Sequence, residues 1–375
     1  MSEPNFKTQP RVLSGMRPTG KLHLGHFVGA LENWVRLQSQ YECFFFVADW
    51  HALTTNYADT SDVKDSSIDM VFDWLAAGLD PERSTMFIQS HVPEHAELHL
   101  LFSMITPLSW LERVPTYKEQ RDNIKDKDLG TYGFLGYPLL MSSDILVYQA
   151  DFVPVGEDQV PHLEFTREIA RRFNQFYELR EPRPIHTLRP DASGKQELVQ
   201  VTTTKVFPEP QPLLTPAAKL PGTDGRKMSK SYGNALLLTD PEPVLRQKLK
   251  TMVTDPARVR RTDPGNPDIC PVGDLHKIFS DPETMHNVNV GCRTAGIGCI
   301  ECKKWAADNI LKVIVPIQER RHKYEDNPKL AWDILEAGSA RAKRAAAATM
   351  SEVRDAMRMS HTYEVPSKTA GGAAE

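Results

Sequence analysis

The 375-residue sequence has no apolar run approaching the ~18 consecutive residues that a membrane-spanning helix requires. Its N-terminus, Met1-Ser2-Glu3-Pro4-Asn5-Phe6-Lys7, lacks a basic head followed by an apolar core, so no secretory signal peptide is expected. Cysteines number only five, too few for a disulfide scaffold, and a chain this long can bury enough surface to fold without one. Neither sign of charge dominates: 45 Lys and Arg stand against 49 Asp and Glu. With 40% hydrophobic and 25% charged residues, collagenous and wholly disordered classes are excluded. What remains is a cytoplasmic, globular chain of about two domains with reduced thiols and no membrane contact.

Charge is unevenly spread. Between Leu245 and Asp263 six Lys/Arg face two acids, and Lys303–Ser360 carries twelve Lys/Arg against eight acids. A solvated helix face is one reading of this; a polyanionic partner for the C-terminal third is the other.

Short β-branched or aromatic runs alternate with helix-length amphipathic segments in the first half. Strands are expected at Arg11–Gly15, Cys43–Asp49 and Thr85–Gln89, with helices at Leu24–Gln38, Ser61–Ala77, Glu94–Ile105, Leu139–Tyr148 and Asp158–Tyr177. That alternation predicts an α/β fold with a doubly wound, Rossmann-like parallel sheet. Proline-rich chain from Pro182 to Pro221 interrupts it, and turn-forming Asp191-Ala192-Ser193-Gly194 predicts an inserted hairpin over 185–205. From Pro241 the pattern is helical. Expected domains are therefore a Rossmann-like unit at 11–240 and a C-terminal all-α unit at 241–365, with disordered ends at 1–10 and 366–375.

Two local patterns carry chemistry. Directly after the first strand stands Gly15-Met16-Arg17-Pro18-Thr19-Gly20-Lys21-Leu22-His23-Leu24-Gly25-His26. Strand, turn and helix N-terminus together form a phosphate-binding geometry, because free N–H groups and the helix dipole face the anion. His23 and His26 share one side of the first helical turn, where each can donate an N–H to a phosphate oxygen. Gly25 leaves room for a flat base. Far along the chain, Gly225-Arg226-Lys227-Met228-Ser229-Lys230-Ser231 is a basic loop suited to clamping a triphosphate. Either pattern alone also fits an ordinary surface turn.

Tyr137, Met141 and Asp144 fall at i, i+4 and i+7, one face of a helix. Two flat or polarisable side chains beside a carboxylate suit an aromatic ligand with a hydrogen-bond donor, although Met141 also fits a plain core position. Gly156-Glu157-Asp158 opens a helix after a strand, as ribose-binding turns do. Four cysteines, Cys270, Cys292, Cys299 and Cys302, cluster with spacings that suit metal rather than disulfides; the spacing alone leaves Zn²⁺ and a [4Fe–4S] cluster both open. Cys43 lies in an aromatic strand and is expected to be core.

The paired His-Leu-Gly-His and Lys-Met-Ser-Lys-Ser patterns resemble the signature of class I aminoacyl-tRNA synthetases. Phe46-Val47-Ala48-Asp49-Trp50-His51-Ala52-Leu53-Thr54, Gly136–Leu146 and Val153-Pro154-Val155-Gly156-Glu157-Asp158-Gln159 are similar to the tryptophanyl branch of that class, and the likeness runs from about Arg11 to Met359. The resemblance implies an enzyme that activates L-tryptophan with ATP and Mg²⁺ and transfers it to the tryptophan tRNA. It implies that Arg17, Pro18, Thr19, Gly25, His26, Gly156, Glu157, Asp158, Lys227, Met228, Ser229, Lys230 and Ser231 bind ATP, with His23, His26, Lys227 and Lys230 acting in the chemistry. Tyr137, Met141, Asp144 and Gln159 would hold tryptophan, Asp144 reading the indole N–H. The four cysteines would carry a [4Fe–4S] cluster near an anticodon-binding region, and the protein would be a homodimer with no DNA partner. A tyrosyl enzyme and a non-catalytic RNA-binding relative are the alternatives.

Overall fold

The computed structural model of the chain describes residues 9–115, 117–118, 129–191, 196–214 and 220–359. Apart from residues 9 and 10, the expected disordered ends lie outside the described residues, as does most of the expected hairpin turn. β1 (Arg11–Met16) leads through a turn to α1 (Leu24–His26), a π-turn at Phe27–Leu31 and α2 (Glu32–Leu37). Then come β2 (Glu42–Val47), α3 (Asp49–Asn56), α4 (Val63–Ala77), β3 (Ser84–Ile88), α5 (Glu94–Ser103), α6 (Leu108–Glu112) and α7 (Tyr132–Val147). β4 (Phe152–Val155) and α8 (Val160–Phe176) precede the hairpin strands β5 (Arg183–Pro190) and β6 (Gln196–Thr203), and β7 (Gln211–Leu214) follows. Beyond Asp240 come α9 (Glu242–Thr251), α10 (Pro271–Phe279), α11 (Pro282–Arg293), α12 (Cys299–Glu325) and α13 (Pro328–Ala356).

Five strands form one parallel sheet in the order β3-β2-β1-β4-β7. β1 to β3 wind one way, and the chain then returns to place β4 on the other side of β1. The strand order therefore reverses between β1 and β4, and such crevices at strand C-terminal ends are where open α/β sheets bind ligands. Both faces of the sheet are covered, which is why β2 reads Cys43-Phe44-Phe45-Phe46-Val47 without polar alternation. Phe45 stacks on Trp34 of α2 at 4.5 Å, and Phe44 on Tyr148 beyond α7 at 4.8 Å, so successive residues serve opposite faces.

The chain past Asp240 shares these cores. Leu245, Leu249, Ala306, Ile310 and Leu335 pack with Val12, Phe45 and Met86, while Ala342, Ala346, Met350 and Val353 pack with Phe44 and Phe87 on the other face. α13 also covers the sheet edge at β3. The Ile88 N–H donates to Ser339 Oγ at 3.4 Å, and a Cβ on Gly338 would lie 1.7 Å from the Met86 carbonyl oxygen. Only glycine permits that approach, and the covered edge offers no template for a foreign strand.

Three departures from the sequence reading concern the site. The helix expected over Leu24–Gln38 contains a π-turn, in which the Glu32 N–H reaches back to Phe27 O. α7 starts seven residues before the expected Leu139, capped by Thr131, whose hydroxyl accepts from the Phe134 N–H at 3.2 Å. β7, inside the proline-rich stretch, is a fifth strand of the main sheet rather than an interruption.

Candidate active site

A cavity of about 430 Å³ opens at the C-terminal ends of β1 and β4. β1 and its exit contribute Gly15 and Arg17, β4 and its exit contribute Gly156 and Gln159, and α7 contributes Tyr137, Met141 and Asp144. The expected helix face and the expected turn after β4 thus meet in one space. Gly15 is required there: a Cβ would lie 2.4 Å from the Phe46 ring. Glu157 and Asp158 stand on a short 3₁₀ turn at the rim, both exposed, and Gln159 Nε2 donates to Asp158 Oδ2 at 3.2 Å.

Asp144 is 1% exposed and carries three hydrogen bonds. His51 Nε2 lies 2.7 Å from Oδ2, while Gln89 Nε2 donates to Oδ1 at 2.7 Å and His95 Nδ1 lies 2.6 Å from Oδ1. Burial pushes its pKa up, but His51 and His95 more than offset this and hold it below the ordinary carboxylate value. An ionised carboxylate accepts only, so His95 must carry its proton on Nδ1. Its Nε2 lies 2.8 Å from the Tyr148 hydroxyl. A carboxylate has about four lone-pair sites, and three are used. One acceptor position remains in a cavity walled by Tyr137 and Met141. His51, Gln89 and His95 escaped the sequence reading; the need of a buried carboxylate for partners was the signal, but it names no positions.

The two signature turns converge. Lys230 Nζ donates to Thr19 O at 2.5 Å and lies 3.2 Å from Thr19 Oγ1, although 211 residues separate them. Behind this contact the chain after the lysine loop pairs with the chain entering α1: the Leu24 N–H donates to Leu236 O at 2.9 Å and the Leu238 N–H to Leu22 O at 3.0 Å. The His23 and His26 ring centroids lie 3.8 Å apart at a tilt of 32°, and the His23 backbone N–H donates to His26 Nδ1 at 3.2 Å. Burial first, then Lys230, lowers His23 to about 4; burial, His23 and Lys230 lower His26 to about 3. Both imidazoles are neutral near pH 7, so positive charge at the turns comes from lysine and arginine side chains, Arg17, Lys227 and Lys230 among them.

The lysine loop is shaped by its own neighbours. Gly222 N–H donates to Arg226 O at 2.7 Å, and Asn234 joins the Ser229 N–H, the Lys227 carbonyl and Asp224. Met228 is 4% exposed and anchors the loop in the core, so only its backbone faces outward chemistry. Gly25 lies under the His23 ring, where a Cβ would come within 2.9 Å. Nothing is described of the Ser231 side chain.

Cys270 precedes α10, Cys292 ends α11, and Cys299 and Cys302 open α12. Burial pushes the Cys302 thiol up to about 12, with Cys270, Cys292 and Cys299 adding to the shift, so the four sulfurs are electrostatic neighbours. Arg258, 8% exposed, donates to Cys292 Sγ at 3.8 Å and to Ile297 O and Arg261 O. Among the described residues, no group of three His, Cys, Asp or Glu side chains is arranged to hold a single metal ion. Cys43 is buried in the core, as expected.

A parallel sheet with a crevice at its switch point, and two distant turns meeting beside it, define a class I aminoacyl-tRNA synthetase. The family model described as tRNA synthetases class I (W and Y) matches residues 5–314, and the chain belongs to that family. It is 51% identical to the Ralstonia nicotianae tryptophan–tRNA ligase over 94% of this chain and 99% of that one. With the Thermotoga maritima enzyme it is 53% identical over 93% and 99%. The Campylobacter jejuni tryptophanyl-tRNA synthetase, solved with ADP and tryptophan, superposes with a TM-score of 0.77 at 28% identity, covering 93% of this chain and 99% of that one. No described helix is long and apolar enough to cross a membrane.

Proposed function

We propose that the cavity between β1 and β4 holds tryptophan beside ATP, with the two signature turns closing on the triphosphate. Tyr137 and Met141 flank the indole, Asp144 accepts its N–H, and Gln159 and Tyr137 hold the ammonium group. Arg17, Pro18, Thr19, Gly25 and His26 line the phosphates from one side. Lys227, Met228, Ser229, Lys230 and Ser231 line them from the other, and Gly156, Glu157 and Asp158 take the ribose. A tryptophan carboxylate oxygen attacks the α-phosphorus while the bond to pyrophosphate breaks. The terminal ribose hydroxyl of the tRNA then attacks the carbonyl carbon of the adenylate, and AMP leaves.

The nucleophiles belong to the substrates, so the protein's part is alignment and charge stabilisation. Neutral His23 and His26 donate hydrogen bonds to phosphate oxygens, and Lys227 and Lys230 balance the charge that grows on departing pyrophosphate. Mg²⁺ enters with the nucleotide and is held by its phosphates. The observation that carries this reading is the Lys230–Thr19 contact, which brings the ammonium to the turn that carries the histidines. Lys230→Ala is expected to cut tryptophan-dependent ATP–pyrophosphate exchange at least 100-fold while calorimetric tryptophan affinity stays within about two-fold. Intact exchange, or equal loss of both, overturns the assignment.

We infer further that Cys270, Cys292, Cys299 and Cys302 hold a [4Fe–4S] cluster rather than Zn²⁺. Four thiolates on one tetrahedral ion crowd together, whereas a cubane gives each sulfur its own iron at a separate corner. The four thiols here neighbour one another, with buried Arg258 beside Cys292. When bound, the cluster supplies a rigid anionic crosslink between α10, α11 and α12, and buried Arg258 is placed to offset its charge. The helices beyond Asp240, placed in the cytoplasm with the rest, read the tRNA. Exposed Leu100, Met104, Leu108 and Tyr132, on α5, α6 and α7 and the chain between them, support a homodimer seam.

A further inference from the structure

The two signature turns are joined twice. In front, Lys230 meets Thr19 where the triphosphate is proposed to sit, so nucleotide must displace or share that contact. Behind, away from the cavity, a second join runs through α12. Arg321 is 3% exposed and forms ion pairs with Asp73 and Asp69 of α4 and with Glu325, the last at 2.8 Å. Asp73 is fully buried. One of its oxygens takes the Arg321 guanidinium, and the other accepts the Leu22 N–H at 3.3 Å, one residue before His23. One helical turn earlier on the same face, Gln318 Nε2 donates to Leu238 O at 2.8 Å and to Asp240 O at 2.9 Å, on the segment that leaves the lysine loop.

We propose that Arg321 and Gln318 are positioning residues for adenylate formation, holding the histidine turn and the lysine loop in register from one rigid helix. Arg321 acts on the histidine turn through Asp73; Gln318 acts directly on the segment that leaves the lysine loop. The Leu22–Leu24 and Leu236–Leu238 segments pair with each other between these two grips, so a shift of either grip moves both turns relative to the cavity. Neither side chain lines the cavity. Lys248 Nζ, bonded to both Asp240 carboxylate oxygens and to Ala235 O, stiffens the segment that Gln318 holds. Misplacing a charge-stabilising group by about 1 Å costs about 100-fold in rate, so loosening one grip has a kinetic consequence without any change in the tryptophan pocket.

The inference rests on the reading that the two turns hold the triphosphate, and the test separates the two. Gln318→Leu keeps the side-chain volume on a half-buried position, and Arg321→Lys keeps the charge but loses the fork shared by Asp69 and Asp73. Each is expected to lower kcat for tryptophan-dependent pyrophosphate exchange about 10- to 100-fold, with KM for tryptophan within two-fold of wild type. In the Lys230→Ala background Gln318→Leu should cost several-fold less than in wild type, because one of the groups it positions is gone. Full effect in that background, or a folded Gln318→Leu enzyme with wild-type kcat, overturns the brace. Wild-type exchange by Lys230→Ala itself overturns the site reading instead. Should Arg321→Lys fail to fold, Gln318→Leu and its double variant decide alone.

Discussion

Asp144 offers the sharpest test of substrate selection, because its acceptor count is nearly exhausted by the protein. Three donors at 2.6–2.7 Å occupy three of about four lone-pair sites. Asp144→Asn preserves shape but leaves one oxygen with two lone pairs and adds an N–H₂ group. The amide cannot accept from His51, Gln89, His95 and an indole N–H together, and its own donors must face at least one of them. The indole bond loses its charge-assisted acceptor, a loss of about 1.5–3 kcal/mol, or about 10- to 150-fold at 1.36 kcal/mol per decade.

The assay compares tryptophan with its benzothiophene isostere, in which sulfur replaces the ring N–H, by kcat/KM in ATP–pyrophosphate exchange. Wild type should prefer tryptophan strongly, since the isostere leaves a buried acceptor unpaired. In Asp144→Asn that preference should shrink about 10- to 150-fold. Taking the ratio within one variant cancels any loss of folded enzyme, which matters because the substitution disturbs a buried network. An unchanged ratio refutes the idea that Asp144 reads the ring nitrogen, whatever happens to absolute rates.

Buried neutral histidines give a pH signature with a definite sign. Unfolded His23 takes up a proton near 6.5, whereas folded His23 does so only near 4, so the unfolded state binds more protons between those values. Stability should therefore fall as pH drops from 6.5 to 4, by up to roughly 3 kcal/mol from this residue. Urea midpoints for wild type and His23→Gln should diverge across that window, and parallel curves refute it. Anaerobically purified protein should contain iron and acid-labile sulfide in equal amounts, both lost in Cys302→Ser; zinc in place of iron would reverse the cluster assignment. Sedimentation should give a dimer mass that reverts to monomer in Leu108→Glu, and a monomeric wild type removes the proposed seam.

What the sequence makes legible is what is local. β2 announces itself as an unbroken aromatic run because both of its faces are buried, and the two signature turns are legible because each is a short string whose residue types suit phosphate. The start of α7 is hidden in the sequence: Gly133, Gly136 and Pro138 argue against a helix, and the Thr131 cap with burial of Phe134, Gly136 and Pro138 overrides them. β7 hides among prolines because Pro212 reads as a strand breaker, although an edge strand tolerates it and even central β4 carries Pro154. The deeper gap lies in partnerships. Asp144 is visible as a carboxylate on an apolar face, yet its partners sit 93, 55 and 49 residues away, and no local pattern selects them over other histidines or glutamines. Arg321 is further still, 248 residues from Asp73, in a helix whose charge pattern reads as a solvated face. Long-range contacts of this kind are set by the sheet order and by how α12 lies across α4. The residues that carry the substrates' charges are therefore legible before the fold is known, whereas those that hold them in place emerge only with it.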